Sequence, residues 1–434
     1  GGANWTEVRP PQLPTWSTIT CIEPSATAAG TAYVSASRFD WDDFHPYVYK
    51  TTDYGKTWTP LTIGLPSDEY VESVRQDPSD SSLMFVATSA TVYYSLDGGQ
   101  QWQLLKLNLP AVRVTDLEIQ PQQHAVVIST FGRAFWVLDN LQYLEQLGTA
   151  HVSSDAAHLF KPQESWQTTG GGYGFGGGGA AGQRKPAGVT IFFSLPSSYT
   201  AGTPVKLSFS TAAGEPVNTI SLPQKPSAGR GGFFRMARRP AKLHPGVNRF
   251  QWNMRYPTAT VVKGLYHSGF GASEPTGPEV MPGTYTVALN VGGQTQKQSF
   301  VIKLDPNWHT SQADLQQRFD LLTRLHKVTG QLDASLNQAL AAREALEKAG
   351  QQSSPAYTRL NRDIDSLVDL RIQSGEGGLV YPPRVRAWLS FISQEVSLAP
   401  VQPTPAMVKV ANEYIQDAQA GVTLLKADVA AAHK

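Results

Sequence analysis

The sequence predicts a mainly β chain with a helical C-terminus, and three observations carry that expectation. A turn pattern, Ser/Thr-x-Asp-x-Gly-x-x-Trp, occurs twice before residue 103, each time behind a short β-type run. Between residues 187 and 304 apolar and polar residues alternate with the period of two that a strand requires. After residue 310 apolar residues recur every three or four positions instead, the spacing of one helix face.

The two full copies of the pattern are Thr51-Thr52-Asp53-Tyr54-Gly55-Lys56-Thr57-Trp58 and Ser95-Leu96-Asp97-Gly98-Gly99-Gln100-Gln101-Trp102. Gly2-Ala3-Asn4-Trp5 has the form of the tail of a third. Strand-like Tyr47-Val48-Tyr49 and Val92-Tyr93-Tyr94 precede the full copies, so each reads as a hairpin turn. In such a turn Asp53 and Asp97 accept backbone amides, Gly55 and Gly99 take a conformation that a side chain would forbid, and Trp58 and Trp102 pack back. Asp53 and Asp97 are therefore turn-fixing residues rather than catalytic ones. A second element recurs between the copies as Ile22-Glu23-Pro24, Gln76-Asp77-Pro78 and Ile119-Gln120-Pro121, with strand-like runs such as Leu83–Ala87 and Ala125–Ile128 behind it. Several short strands per repeat of roughly 45–55 residues is the pattern of a β-propeller blade. Residues 1–148 are expected to hold blades of such a propeller, too few to close a ring, since the smallest need about four. The chain begins without Met and is expected to start inside a blade.

Residues 149–186 read as a glycine-rich linker, because the run from Gly170 to Gly182 has too much conformational freedom to hold one structure. Strand patterns follow at Val189–Phe193, Val205–Ser210, Arg249–Trp252, Tyr285–Leu289 and Ser299–Ile302, with Asn290-Val291-Gly292-Gly293 as a hairpin connection. Segment 187–304 is thus expected to be an immunoglobulin- or fibronectin-like sandwich. The loop Arg230–Arg239 mixes arginines with Phe233 and Phe234 and reads as a solvated insertion, or as a grip on RNA or an acidic surface. In segment 305–434, Ser311 caps a helix with an apolar stripe through Leu315, Phe319, Leu322, Leu325, Leu332, Leu336 and Leu340, which Gly350 ends. Leu360, Ile364, Leu367 and Leu370 mark a second helix, and Val385, Trp388, Leu389 and Ile392 a third behind Pro382-Pro383. Thr404-Pro405 starts a fourth, through Met407, Ala411, Tyr414, Ala418 and Leu425. Four such helices with short links predict an antiparallel four-helix bundle.

The repeat turn resembles the Asp-box, or BNR repeat. The run Thr130-Phe131-Gly132-Arg133-Ala134-Phe135-Trp136-Val137-Leu138-Asp139 is similar to the closing blade of bacterial sortilin/VPS10-type propeller proteins, a group often labelled BNR-repeat glycosyl hydrolases. His158–Pro162, Gly246–Pro257 and Pro282–Val287 resemble the segments behind that propeller. The resemblance implies a partial Asp-box β-propeller followed by accessory domains, the C-terminal part of a protein about twice as long or more. It does not fix an activity, because Asp-boxes occur in sialidases, xyloglucanases, sortilins and photosystem assembly factors alike.

The 434 residues are 41% apolar and 16% charged, with 36 Lys and Arg against 35 Asp and Glu, enough apolar material for ordinary cores. The charge balance of +1 gives no reason to expect nucleic acid or an anionic membrane as a partner. No apolar run is long enough to span a bilayer. The single cysteine, Cys21, excludes an internal disulfide and a Cys-based metal site.

Catalytic groups are sought as paired carboxylates. Asp40, Asp42, Asp43, Glu69, Glu72 and Glu118 are available, and no spacing selects a pair. The loop Arg38-Phe39-Asp40-Trp41-Asp42-Asp43-Phe44-His45-Pro46 stands out. Asp40, Trp41, Asp42, Asp43 and His45 combine carboxylates with the ring types that line sugar or cation sites, while the same loop also reads as an acidic connector. Histidines are dispersed without ligand spacing, so no metal and no cofactor is expected. Asn4-Trp5-Thr6 matches a glycosylation acceptor. The expectation is a non-catalytic binding or scaffolding protein, extracytoplasmic, recognising a protein, peptide or glycan and joining a larger assembly. The alternative is a secreted glycoside hydrolase, sialidase- or xyloglucanase-like, whose active site lies mainly on other blades.

Overall fold

The computed structural model describes residues 2–149, 154–168, 187–223, 242–265, 275–371 and 381–433. The glycine run 170–182, the basic loop 230–239, His151 and His267 lie outside the described residues. The chain is mainly β with a helical C-terminus and divides into two compact units, Gly1–Gln163 and Glu164–Lys434.

Three antiparallel sheets follow one another in the first unit. Strands β1 (Thr18–Pro24), β2 (Ala32–Arg38), β3 (Asp43–Thr51) and β4 (Thr59–Pro60) form the first, in that order. The second holds β5 (Val71–Gln76), β6 (Met84–Thr88), β7 (Val92–Ser95) and β8 (Gln103–Leu104). The third holds β9 (Val114–Gln120), β10 (Ala125–Thr130) and β11 (Phe135–Leu138). Strand β6 shows why they stack. Met84 and Val86 enter the core shared with Tyr33 and Val48 of the first sheet, while Phe85 and Ala87 enter that shared with Leu117, Val126 and Ile128 of the third. A sheet covered on both faces needs an unbroken apolar run, which is how Leu83–Ala87 reads. The first strands β1, β5 and β9 lie side by side, tied by Thr20 Oγ1 to the Val71 carbonyl at 3.1 Å and by Ser73 Oγ to Asp116 at 2.8 Å. Sequential meanders with neighbouring first strands make a propeller-like arrangement of three sheets. Leu141, just before helix α1 (Gln142–Thr149), and Leu144 within it join the core of the last two sheets, and the short strand β12 (His158–Leu159) follows.

In the second unit β13 (Ser165–Gln167) joins a five-stranded sheet with β15 (Val205–Thr211), β16 (Pro216–Leu222), β18 (Gly283–Val291) and β19 (Gln294–Leu304), ordered β13-β19-β18-β15-β16. Strands β14 (Val189–Leu195) and β17 (Gly246–Trp252) pair antiparallel in a second sheet across from it. Fully buried Trp252 of this pair stacks on Phe209 at 4.0 Å and meets Tyr285 and Phe300 edge-on, joining the two layers.

Helices α2 (Gln312–Lys348), α3 (Pro355–Leu367), α4 (Val385–Ser397) and α5 (Pro405–Ala432) share one apolar core through Leu325, Leu332, Leu336, Leu360, Ile364, Leu389 and Leu425. Ser311, Ser354 and Thr404 cap α2, α3 and α5 by accepting an amide three residues on. Buried Arg386 of α4 donates to Asp333 of α2 at 2.8 Å, the pairing a buried charge requires. No helix among the described residues is long and apolar enough to cross a membrane.

Candidate functional site

Alternating strand direction gives the three-sheet unit two distinct ends. The β1–β2, β3–β4 and β7–β8 turns gather at one end, and the β2–β3 and β10–β11 hairpins gather at the other with the chain that leads into β1, β5 and β9.

At the first end the repeated turns satisfy themselves. Asp53 accepts the amide of Thr57 at 2.8 Å, its hydroxyl at 2.7 Å and the Thr51 hydroxyl at 2.9 Å. Asp97 accepts the amide of Gln101 at 3.0 Å and the hydroxyl of Ser95 at 2.6 Å. Gly55 and Gly99 hold φ of 83° and 90° and donate their amides to Thr51 and Ser95. The indoles finish the turns: Trp58 donates to the Val8 carbonyl at 2.7 Å and Trp102 to that of Leu61 at 2.9 Å. The Thr57 hydroxyl and amide hold the Asp53 carboxyl down at about 2, so it stays ionised and committed to the turn. Trp5, which has no such turn around it, is exposed.

At the opposite end the same residue types point outward. Phe39, Asp40 and Trp41 form a single 3-10 turn that Asp42 closes in the left-handed conformation, φ 57°. Trp16, also left-handed at φ 64°, brings its ring 6.1 Å from Trp41. Phe39 stacks on Tyr70 at 5.3 Å, and Phe44 meets Tyr70 at 6.1 Å. The Arg113 guanidinium sits over Phe39, Tyr70 and Phe131 at 5.6, 5.7 and 5.8 Å and pairs with Glu72 at 2.5 Å. This aromatic surface thus draws on all three sheets. Trp16 is 76% exposed, Trp41 56% and Phe131 71%, an apolar patch that a folded protein rarely leaves uncovered without a partner.

Asp43, Glu69 and Glu72 at this end are anchored by neighbouring side chains. Burial raises Asp43, but hydrogen bonds from Tyr47, His45 and Arg38 outweigh it and hold the carboxyl below its ordinary value. Burial, and then Asp43, pushes the Tyr47 phenol up to about 12. Glu69 accepts the hydroxyls of Thr88 at 2.7 Å and Tyr93 at 3.2 Å, and burial and that carboxylate push Tyr93 up to about 12, far from an activated phenolate. Arg38 also donates to the Thr15 carbonyl, which fixes the chain leading to Trp16. The arrangement can hold and stack a ligand. Among the described residues no three His, Cys, Asp or Glu side chains gather as a metal site.

Two other features lie away from this aromatic end. Along the first strands Arg75 reaches Asp116 at 3.0 Å, Glu118 at 3.4 Å and Glu23 at 3.8 Å, an ion network that ties the three sheets together. A cavity of about 430 Å³ lies between Val8–Pro10 and the outer face of the first sheet, lined by Ile19, Ile22, Val34 and Trp58. Its walls are nearly all apolar and its lid is the chain's own segment, pinned by the Trp58 indole. It lacks the convergent polar groups of a specific ligand site.

Of the residues singled out in the sequence, Asp40, Trp41 and Asp42 sit in the exposed turn, whereas Asp43 and His45 belong to strand β3. Trp16, Tyr70, Arg113 and Phe131 complete the surface and were missed. A signal for three of them exists: Trp16, Tyr70 and Arg113 each stand eight residues before the repeated prolines Pro24, Pro78 and Pro121, hence at one end of their sheets.

No family model and no curated protein matches the chain. Among solved structures it is similar to an ancestral GH74 enzyme, at 15% identity over 32% of this chain and 16% of that one, with a TM-score of 0.23. The GH74 enzyme of Niastella koreensis aligns at 10% identity over 65% and 46% of the two chains, TM-score 0.24. YCF48 from Cyanidioschyzon merolae aligns at 16% identity over 46% and 57%, TM-score 0.24. The chain spans less than two thirds of the length of each of these proteins, and at such scores the fold description rests on the sheets themselves.

Proposed function

We propose that residues 1–148 act as a non-catalytic recognition module outside the cytoplasm, a portion of a sortilin-like Asp-box propeller that takes a protein, peptide or glycan on its aromatic end. Segments 187–304 and 305–434, read as a sandwich and a four-helix bundle, serve as a brace or a second docking body. One observation carries the reading: exposed Trp16, Trp41 and Phe131 form a surface with Phe39, Phe44 and Tyr70 that is held in place by Arg113. Rigid aromatic side chains contribute contact area at low entropic cost, which suits them to recognition.

The test is binding of the chain to peptide and glycan arrays, repeated with Trp41→Ala and Phe131→Ala. Ligands lost in both variants, with unfolding curves unchanged, support the proposal; ligands kept by both remove it.

A glycoside hydrolase is the second reading, favoured by Asp40 and Asp42 flanking Trp41. Against it, Asp43, Glu69 and Glu72 are engaged by Arg38, Tyr93 and Arg113. Glycan cleavage by the chain that disappears in Asp40→Asn or Asp42→Asn would establish it.

A further inference from the structure

The aromatic end already binds one cation of the chain's own. The Arg113 guanidinium lies within 5.8 Å of three ring centres, Phe39, Tyr70 and Phe131, and Glu72 balances its charge at 2.5 Å. That is the range in which the negative face of a ring attracts a cation, about 6 Å. Trp16 and Trp41, with Asp40 and Asp42 on either side of Trp41, present the same two components, ring faces and carboxylates, toward solvent.

We infer that this outward half binds the guanidinium or ammonium group of an arginine- or lysine-bearing polypeptide segment, an inference that rests on the aromatic end being the recognition surface. Charge complementarity selects the partner. Asp40, Asp42, Asp43, Asp68, Glu69 and Glu72 stand at this end against Arg38, Arg113 and Arg133. Arg38 is held by Asp43 and the Thr15 carbonyl, and Arg113 by Glu72, so two of these cations are already neutralised. Exposed Asp40 and Asp42 form no salt bridge within 4.0 Å among the described residues, and Asp40 also lies in the field of the Arg113 guanidinium. An anionic ligand would meet like charge there, and a neutral glycan would stack on the indoles and donate hydroxyls to the carboxylates while leaving their charge uncompensated. A cationic side chain uses both.

Isothermal titration of the whole chain tests this with three probes. They are a short, end-blocked peptide of alternating arginine and glycine, its counterpart with citrulline for arginine, and a linear β-glucan oligosaccharide. The arginine peptide binds, affinity falls with added salt, and citrulline weakens it by about tenfold or more, the scale of a partly desolvated cation–ring contact. Trp41→Ala lowers affinity by about tenfold and Trp41→Phe by less, with unfolding curves that match the wild type. No binding of the arginine peptide, equal binding of the citrulline peptide, or no change in Trp41→Ala overturns the inference. If the oligosaccharide alone binds and is lost in Trp41→Ala, the cation is wrong and the recognition surface stands. If no probe responds to Trp41→Ala, both fall.

Discussion

At one end of the three-sheet unit Asp97 takes an amide and a hydroxyl of its own turn, and Trp102, 3% exposed, donates its indole N–H to the Leu61 carbonyl. At the other, Asp42 closes a 3-10 turn and Trp41 is mostly bare. The residue types are the same. What differs is where their hydrogen-bonding capacity and apolar area are used. The Asp turns consume both internally, which makes them braces, whereas the turn Phe39–Trp41 leaves rings and carboxylates to solvent and fixes their position through Arg113 and Tyr70. A motif search that ranks Asp and Trp alike cannot separate the two.

The comparison breaks first at the indoles. Trp102→Ala empties a site in the core between the first two sheets and is expected to cost about 3–5 kcal/mol in denaturant unfolding, while exposed Trp41→Ala stays within about 0.5 kcal/mol. Equal costs would mean that the aromatic end is core rather than surface. Gly64→Ala comes next. Gly64 holds φ 95°, and a Cβ there would come within 2.3 Å of the Trp102 carbonyl oxygen, so the Asp-turn end should lose about 2–3 kcal/mol, read by the same unfolding curves.

Arg113→Met sharpens the other side. It removes the cation over three rings and leaves Glu72 without its partner, at a cost of about 1 kcal/mol in unfolding and with weakened ligand binding. The smallest effect concerns acid. Asp53 sits at about 2 when folded, below the ordinary 3.8, so the stability it lends is present above the ordinary value and is lost as pH falls through about 2. Asp53→Asn should therefore flatten the decline in urea midpoint between those values, and an unchanged decline would place the acid sensitivity elsewhere.

Much of the fold was legible because its signals are local. Ser311 and Thr404 cap helices that begin one residue later, and the hairpin at Gly292-Gly293 joins β18 and β19 with Val291 opposite Gln294. Strand β16 escaped notice, because Pro216-Val217-Asn218-Thr219 carries little apolar alternation and gains its place by pairing with β15. The aromatic surface was half legible. Asp40, Trp41 and Asp42 are contiguous and invite attention, but Trp16, Tyr70, Arg113 and Phe131 come from four separate connections and meet only once the sheets stack. The shared position of Trp16, Tyr70 and Arg113, eight residues before the repeated prolines, was written in the sequence. Its meaning depends on strand direction, which a turn pattern alone does not reveal.

The place where a ligand lands separates the two ends most directly. Hydrogen–deuterium exchange of the chain with and without the arginine-bearing peptide should show slowed exchange at residues 37–46, 70–73, 113–116 and 130–135, and none at the Asp turns 52–58 and 96–102. Protection confined to the Asp turns would contradict the assignment of the two ends.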